Sequence, residues 1–377
     1  MVPMWLMAFE KIALVDSFDF PAQGRFDVET RKGTEDVLSH VLLTGADTVL
    51  WRNMSGAVPR YRSAEESAPL KEPPLDVRCI PLNEPIRGWI RWDSCETNSL
   101  EYVAGLCKER GKGFGIHFPF EENHGEMWTL GTWNLEHPQF WCAAPDRVPW
   151  PGRCSLAYPE VLAHKLRLVD EALATGADTI YLDIWRAGNW TVGKEFVSPI
   201  LREWKIRYGD SLPDAKDERW LEIVSRYQHA YIRGIRKRCD MAGRKVRLFL
   251  GLPQIDAADM HMWRTYAIDW KKLAKEGFVD GLVVNSLRPD ENDIWNSTRR
   301  LYEYVMEHRG NAKVYFPVAM YDYNYGVPSY CRATGMSTPI VVRQLMDIAR
   351  EVGGHGVTFE VVDYGNYTPE ICKETRK

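Results

Sequence analysis

The sequence predicts an α/β fold, a (β/α)8 (TIM) barrel with long βα-loop insertions, and three observations carry that expectation. Short β-rich runs alternate with amphipathic stretches along the whole 377-residue chain, as in a parallel sheet covered by helices. Eight such runs can be counted, the number a closed barrel needs. One helix–Gly–strand unit also recurs. Thr44-Gly-Ala-Asp-Thr-Val-Leu-Trp51 has a near copy in Thr175-Gly-Ala-Asp-Thr-Ile-Tyr-Leu-Asp183-Ile-Trp-Arg186, and the second copy places an acid at the strand's exit. A doubly wound open sheet is the structural alternative, disfavoured because the chain has no Gly-x-Gly-x-x-Gly or Walker A sequence.

In chain order the expected strands are 12–16, 48–51, 114–118, 179–183, 246–251, 281–285, 314–318 and 357–361. Each is a short apolar run bounded by turn residues. Of the helices between them, 159–175 is the clearest: Pro159 suits a first helical turn, Leu162, Leu166, Val169 and Leu173 make one stripe, and Gly176 stops it. Residues 218–241 carry Trp220, Ile223, Tyr227, Tyr231 and Ile235 at similar spacing and stop at Gly243. Residues 293–308 and 339–352 behave likewise, each followed by Gly and then a strand.

A barrel of this type uses about 250 residues, so the surplus belongs in loops. It falls at about 53–98, 119–155 and 187–216, each after a strand and so on the face where barrel enzymes build their sites, within one catalytic domain spanning 1–377. The first of these is rich in proline and the second in tryptophan. The third holds an extra helix near 196–208.

The formal net charge of -4 gives no reason to expect nucleic acid or an anionic membrane as partner. No apolar run approaches the roughly 20 residues that span a bilayer, and the first nine residues lack the basic start of a signal peptide. The eight cysteines show no CxxC, so buried free thiols are expected rather than a disulfide framework, with a Cys142–Cys154 bridge the one alternative. The cytoplasm is the favoured compartment, with export after removal of a signal left open.

Residues at strand exits converge in a barrel. In order they are Asp16 and Asp19, Arg52, His117 with Glu121 and Glu122, Asp183 and Arg186, Gln254 with Asp256 and Asp259, Asn285, Asp322, and Glu360 with Asp363. Carboxylates next to tryptophans suit carbohydrate, because indoles stack on apolar sugar faces while Asp, Asn, Arg and His hold hydroxyls. Glycoside cleavage needs one carboxyl as proton donor and another as nucleophile or base. Asp183 is the expected nucleophile or base, with Glu360, Glu121 or Glu122 as the acid. Arg52, His117, Trp185, Arg186, Trp190, Asn285, Asp322, Trp128 and Asp16 are candidates for substrate binding. The run from His117 to His124 matches no standard zinc spacing, so neither a metal nor any other cofactor is expected. The tryptophans from Trp128 to Trp150 read equally as a sugar-stacking wall or as the core of a long loop.

The stretch Leu156-Ala-Tyr-Pro-Glu-Val161 leading into a helix, followed by Gly176-Ala-Asp-Thr-Ile-Tyr-Leu-Asp183-Ile-Trp-Arg186, resembles the bacterial glycosyl-hydrolase-like TIM-barrel proteins of the family 10-like group. Residues 196–208 and Asp217-Glu-Arg-Trp220 look similar too, so the likeness covers the middle third of the chain. It implies a barrel acting on glycosides, with Asp183 and Arg186 as site residues. No Asn-Glu pair ends the fourth strand, so the proton donor is not assigned by resemblance. The expected partner is an oligosaccharide or glycoside, with homo-oligomerisation left open. Two other readings stand beside hydrolysis: a metal-dependent sugar isomerase, epimerase or lyase, and a non-catalytic carbohydrate-binding barrel.

Overall fold

The computed structural model describes residues 9–15, 30–55, 58–59, 61, 63–65, 99–120, 132–184, 191–255, 261–320, 326–360 and 367–377. All of the expected strands form: β1 Glu10–Val15, β2 Thr48–Arg52, β3 Gly113–Pro119, β4 Thr179–Asp183, β5 Arg247–Leu252, β6 Gly281–Val284, β7 Lys313–Ala319 and β8 Gly356–Glu360. They pair in parallel, and β1 bonds both to β2 and to β8, so the sheet closes into a barrel. Closure excludes the open doubly wound sheet.

The strands are linked through α1 Arg31–Leu42, α2 Ser99–Glu109, α3 Pro159–Ala174, α4 Glu218–Met241, α5 Trp270–Lys275, α6 Ile294–His308 and α7 Thr338–Glu351, and α8 Pro369–Thr375 follows β8. The stripe expected on α3 is rotated. Its buried face is Val161, His164, Leu168, Val169, Ala172 and Leu173. Leu166 sits on the flank, where it meets Gly234 of α4; a Cβ there would lie 3.0 Å from the leucine methyls. The helix is pressed on two sides, so an inward face and a helix–helix contact were read as one stripe. Among the described residues no helix is long and apolar enough to cross a membrane.

Alternation along the strands divides the core in two. One set of side chains, including Val49, Ile116, Ile180 and Leu282, packs outward under the helices. The other set, Ile12, Leu14, Leu50, Tyr181, Phe249, Val283 and Tyr315, fills the barrel. The strand registers keep this inward parity all the way round, for example Ile12↔Thr48, Gly115↔Thr179, Tyr181↔Phe249 and Val283↔Tyr315. On that parity the N-terminal end of the barrel is plugged by Glu10, Thr48, Thr179, Arg247 and Tyr315. Arg247 Nη1 lies 2.9 and 3.0 Å from the two Glu10 oxygens, Tyr315 donates to Glu10 Oε2 at 2.7 Å, and Thr48 donates to Oε1 at 2.8 Å. Burial alone would raise the Glu10 carboxyl, but Arg247 and these donors hold it below the ordinary carboxylate value.

The second and third insertions are knit together on the opposite face. Strands Trp141–Ala143 and Pro149–Cys154 form a hairpin after β3, and Ala143 bridges to Glu195 in the loop after β4. Phe196 N donates to Ala143 O at 3.0 Å. The buried Glu195 carboxylate accepts from Ser155 Oγ at 2.5 Å and Cys142 Sγ at 3.5 Å. Cys142 and Cys154 are free thiols, as are the other described cysteines, so the alternative of a bridge is not realised.

Two predictions follow from these packed polar groups. Arg247→Met leaves a largely buried carboxylate without its cation and should cost about 2 kcal/mol, somewhat less than a fully buried pair. The Glu10→Gln, Arg247→Met double variant should cost less than the sum in urea unfolding. His229 and His355 each accept a backbone N–H, from Asp269 at 3.1 Å and Val314 at 3.2 Å, which requires neutral rings. Burial first, and nearby Arg and Lys charges next, lower both to about 4. Their unfolded value is about 6.5, so the unfolded chain binds more protons between these limits. This stability is complete above pH ~6.5 and is lost as pH falls toward 4. Urea midpoints should therefore decline over that range, and less steeply in His355→Gln.

Candidate active site

The inward parity that fills the barrel places Arg52, His117, Asp183, Gly251, Asn285 and Glu360 at the C-terminal ends of β2, β3, β4, β5, β6 and β8. Each stands at or near the end of its strand, Asn285 one residue beyond β6, where the sheet ends and loops begin. Arg52, His117, Asp183, Asn285 and Glu360 are all buried, Asp183 and Glu360 to 1% exposure. Five polar side chains therefore sit where water is largely excluded, and their mutual arrangement decides what they can do.

His117 Nε2 lies 2.7 Å from Asp183 Oδ2. An ionised carboxylate only accepts, so the imidazole N–H is the donor. One layer below, the Tyr181 hydroxyl accepts from Asn285 Nδ2 at 2.8 Å, donates to Asn285 Oδ1 at 3.1 Å, and also faces the Asp183 carboxylate. Burial raises the Tyr181 phenol well above its ordinary value, and the charges of Asp183 and Glu360 raise it further. The phenol thus stays protonated and remains a donor. Asp183 is held by an imidazole and a phenol, and both carboxylates act on the same hydroxyl.

Gly251 makes this approach possible. A Cβ there would lie 2.8 Å from Tyr181 Oη and 3.2 Å from both Asp183 Oδ1 and Asn285 Oδ1. Tyr266, at the end of the short helix His261–Tyr266, is buried. Burial lifts its phenol to about 12, with Asp183's charge adding to the rise and Arg153 opposing it.

Of the residues expected in the site, Arg52, His117, Asp183, Asn285 and Glu360 come together at one end of the barrel. Gln254 is buried just beyond β5. Asp16, Asp19, Glu121, Glu122, Trp128, Trp185, Arg186, Trp190, Asp256, Asp259, Asp322 and Asp363 lie outside the described residues. The described members of the tryptophan cluster pack within the insertion. Trp133 is stacked between His164 and His137 at 4.2 Å on each side, Trp141 donates to Asn134 O at 2.7 Å, and Lys194 Nζ covers Trp150 at 3.2 Å. Among the described residues no group of three or more His, Cys, Asp or Glu could hold a metal ion.

Tyr181 and Gly251 also belong to this arrangement, and neither stands out in the sequence as a site residue. Tyr181 stands two residues before Asp183 and so shares its inward direction, a signal that was available. Gly251 ends an apolar run and was legible only as a strand end.

No protein-family model matches the chain, and no curated protein matches it by sequence. Solved structures match the fold. The β-galactosidase from Bacillus circulans sp. alkalophilus is 10% identical with a TM-score of 0.58, covering 94% of this chain and 50% of that one. The C-terminal domain of a protein provisionally named a chitinase, from Desulfitobacterium hafniense DCB-2, is 10% identical with a TM-score of 0.53, covering 98% and 99%. The chain spans only 39–58% of the length of the first four structures it matches. It has the barrel fold of these glycosidases.

Two glycine substitutions separate close approach from backbone cost. Gly251→Ala should destabilise by about 1–3 kcal/mol because Tyr181 and Asp183 must shift. Gly105→Ala, in α2 with nothing within 4 Å of the added methyl, should stabilise by roughly 0.5–1 kcal/mol. Thermal melts of the two variants check the sign of each change.

Proposed function

We propose that the protein is a glycoside hydrolase of the family 10-like kind, a single catalytic domain that cleaves a glycosidic bond with two carboxylates at the C-terminal end of its barrel. The observation that carries this reading is that Asp183 and Glu360, the inward residues that close β4 and β8, are both buried at the same end of the barrel. Donors on a carboxylate favour its ionised form. Asp183, held by His117 and Tyr181, is therefore assigned as nucleophile or base. Glu360 is assigned as proton donor, with Glu121 and Glu122 as the other acids to test. Arg52, His117 and Asn285 orient substrate hydroxyls or the carboxylate, together with Asp16, Trp128, Trp185, Arg186, Trp190 and Asp322. The fold likeness to solved barrels named as a β-galactosidase and a chitinase domain supports the reaction class.

A second reading is favoured by the 2.7 Å His117–Asp183 contact. Such a pair moves protons readily, and in a sugar epimerase or lyase it would abstract one from carbon. The products distinguish the two, since hydrolysis incorporates solvent oxygen at the cleaved bond and elimination leaves an unsaturated sugar.

Wild type should release aryl alcohol from at least one member of an aryl-glycoside panel, and EDTA should leave the rate unchanged. Asp183→Asn and Glu360→Gln should each lower kcat by roughly 100-fold or more, the range for loss of a general acid or base. Unchanged rates in both variants would sink the two-carboxylate mechanism.

A further inference from the structure

We propose that Tyr181 and Asn285 form a two-seat hydrogen-bond switch beneath Asp183. The phenol turns its one proton to the carboxylate while that group is ionised, and to Asn285 Oδ1 once the charge is gone. The inference rests on the glycosidase reading for the step it serves, but its geometry belongs to three side chains alone.

A phenol has a single proton to give. Tyr181 Oη lies 2.8 Å from Asn285 Nδ2 and 3.1 Å from Asn285 Oδ1. The amide nitrogen only donates, so it takes a lone pair of the phenol, and the amide oxygen only accepts, so it offers the proton one seat. Either orientation of the amide presents the same pair of one donor and one acceptor. Bonds of the O–H···O type centre at about 2.7–2.8 Å, so the 3.1 Å bond is long and holds the proton loosely.

The second seat is Asp183. A Cβ on Gly251 would lie 2.8 Å from Tyr181 Oη, 3.2 Å from Asp183 Oδ1 and 3.2 Å from Asn285 Oδ1, so the three oxygens surround one point. His117 Nε2 stands 2.7 Å from the other carboxylate oxygen, Oδ2, and Oδ1 is the one turned to the phenol. Nothing but the hydroxyl proton needs to move between the seats. Tyr181 is wholly buried in the barrel filling, and its ring is tilted against the His117 imidazole with centroids 5.1 Å apart. The change is a rotation about the phenolic C–O bond, in which no O–H bond breaks and no proton leaves the site.

Hydrogen bonds to a charged group are roughly twice as strong as neutral ones, so an ionised Asp183 draws the proton to itself. In either role assigned to it, Asp183 then loses its charge. As nucleophile it bonds to the sugar carbon, and as base it takes a proton from water. The neutral carboxyl no longer outcompetes an amide oxygen, and the phenolic proton turns to Asn285. The buried hydroxyl keeps a hydrogen bond in both states, which a single acceptor would not provide. Asn285 therefore acts through Tyr181, as a positioning residue. The other titratable or charged groups of this ring are His117 on β3, Glu360 on β8, Arg52 on β2 and the Tyr266 phenol after β5. Their fields are common to the variants compared below.

Carbon-13 NMR at neutral pH, on protein labelled at the asparagine side-chain carbonyl, reads the switch without a substrate. The Asn285 signal is identified by its loss in Asn285→Leu, and thermal melts check that each variant folds. Asp183→Leu removes one seat, so the Asn285 carbonyl should take the whole hydrogen bond and its carbon should move downfield. Asp183→Ala serves the same purpose should the leucine variant not fold. With Tyr181→Phe also present, the Asp183 substitution should leave the signal where Tyr181→Phe alone puts it. An Asn285 signal that ignores the loss of Asp183, or follows it equally without the phenol, overturns the switch. Kinetics on an aryl glycoside that wild type cleaves add a second readout. Asn285→Leu should lower kcat by roughly 10-fold with KM held, as expected of a lost hydrogen bond that the sugar does not share. A raised KM at constant kcat places the amide on the sugar and overturns the switch. If the NMR response holds and no glycoside is cleaved, the switch stands and the hydrolase reading falls. Cleavage without the NMR response does the reverse.

Discussion

Closure of β1 onto both β2 and β8 is the constraint on which the remaining structure depends. Once the sheet is a ring, each strand has one side facing in and one facing out, and a slip of one residue anywhere would exchange them. The registers hold one parity around the ring. Ile12, Leu50, Tyr181, Phe249, Val283 and Tyr315 thus become filling, and the inward residues at the ends of β2, β3, β4, β6 and β8 gather at one end of the barrel. Asp183 does not reach the site because a loop carries it there. It reaches it because Thr179 and Tyr181, two and one steps below on the same side, are packed into the barrel.

The two ends of this ring treat charge differently. At the N-terminal end, Glu10 and Arg247 meet with Thr48 and Tyr315 supplying the remaining hydrogen bonds, a closed arrangement that holds strands distant in sequence. At the C-terminal end, acids, a histidine and an arginine are gathered at similar depth, and the hydrogen bonds orient one carboxylate. The first arrangement braces the barrel, and the second gathers polar groups at the end where barrel folds keep their sites.

Much of the fold was legible because strand-length apolar runs and the glycines that stop helices are local signals. Gly176 ends α3 with φ of 89°, and the strand that follows could be placed to the residue. Arg52, His117, Asp183, Asn285 and Glu360 were legible too, since a polar residue closing an apolar run stands out. Their partnerships were not. His117 and Asp183 are 66 residues apart, and only strand order and stagger bring them to 2.7 Å. Tyr181 was hidden by its own surroundings, reading as one more core aromatic. Tyr266 ends a short helix after β5, and the left-handed turn at the alanine that follows leaves no mark in composition.

The hairpin of Trp141–Ala143 and Pro149–Cys154 stands apart from the ring of strands. It is anchored to the next insertion through Ala143 and Glu195, while the carboxylates are anchored in the barrel. The hairpin and the strand-end carboxylates thus stand on separate pieces of scaffold. Exchange of the hairpin together with its partner loop would alter the surroundings of the strand ends while leaving the barrel to fold as before. A change in β4 or β8 would put both folding and chemistry at risk at once.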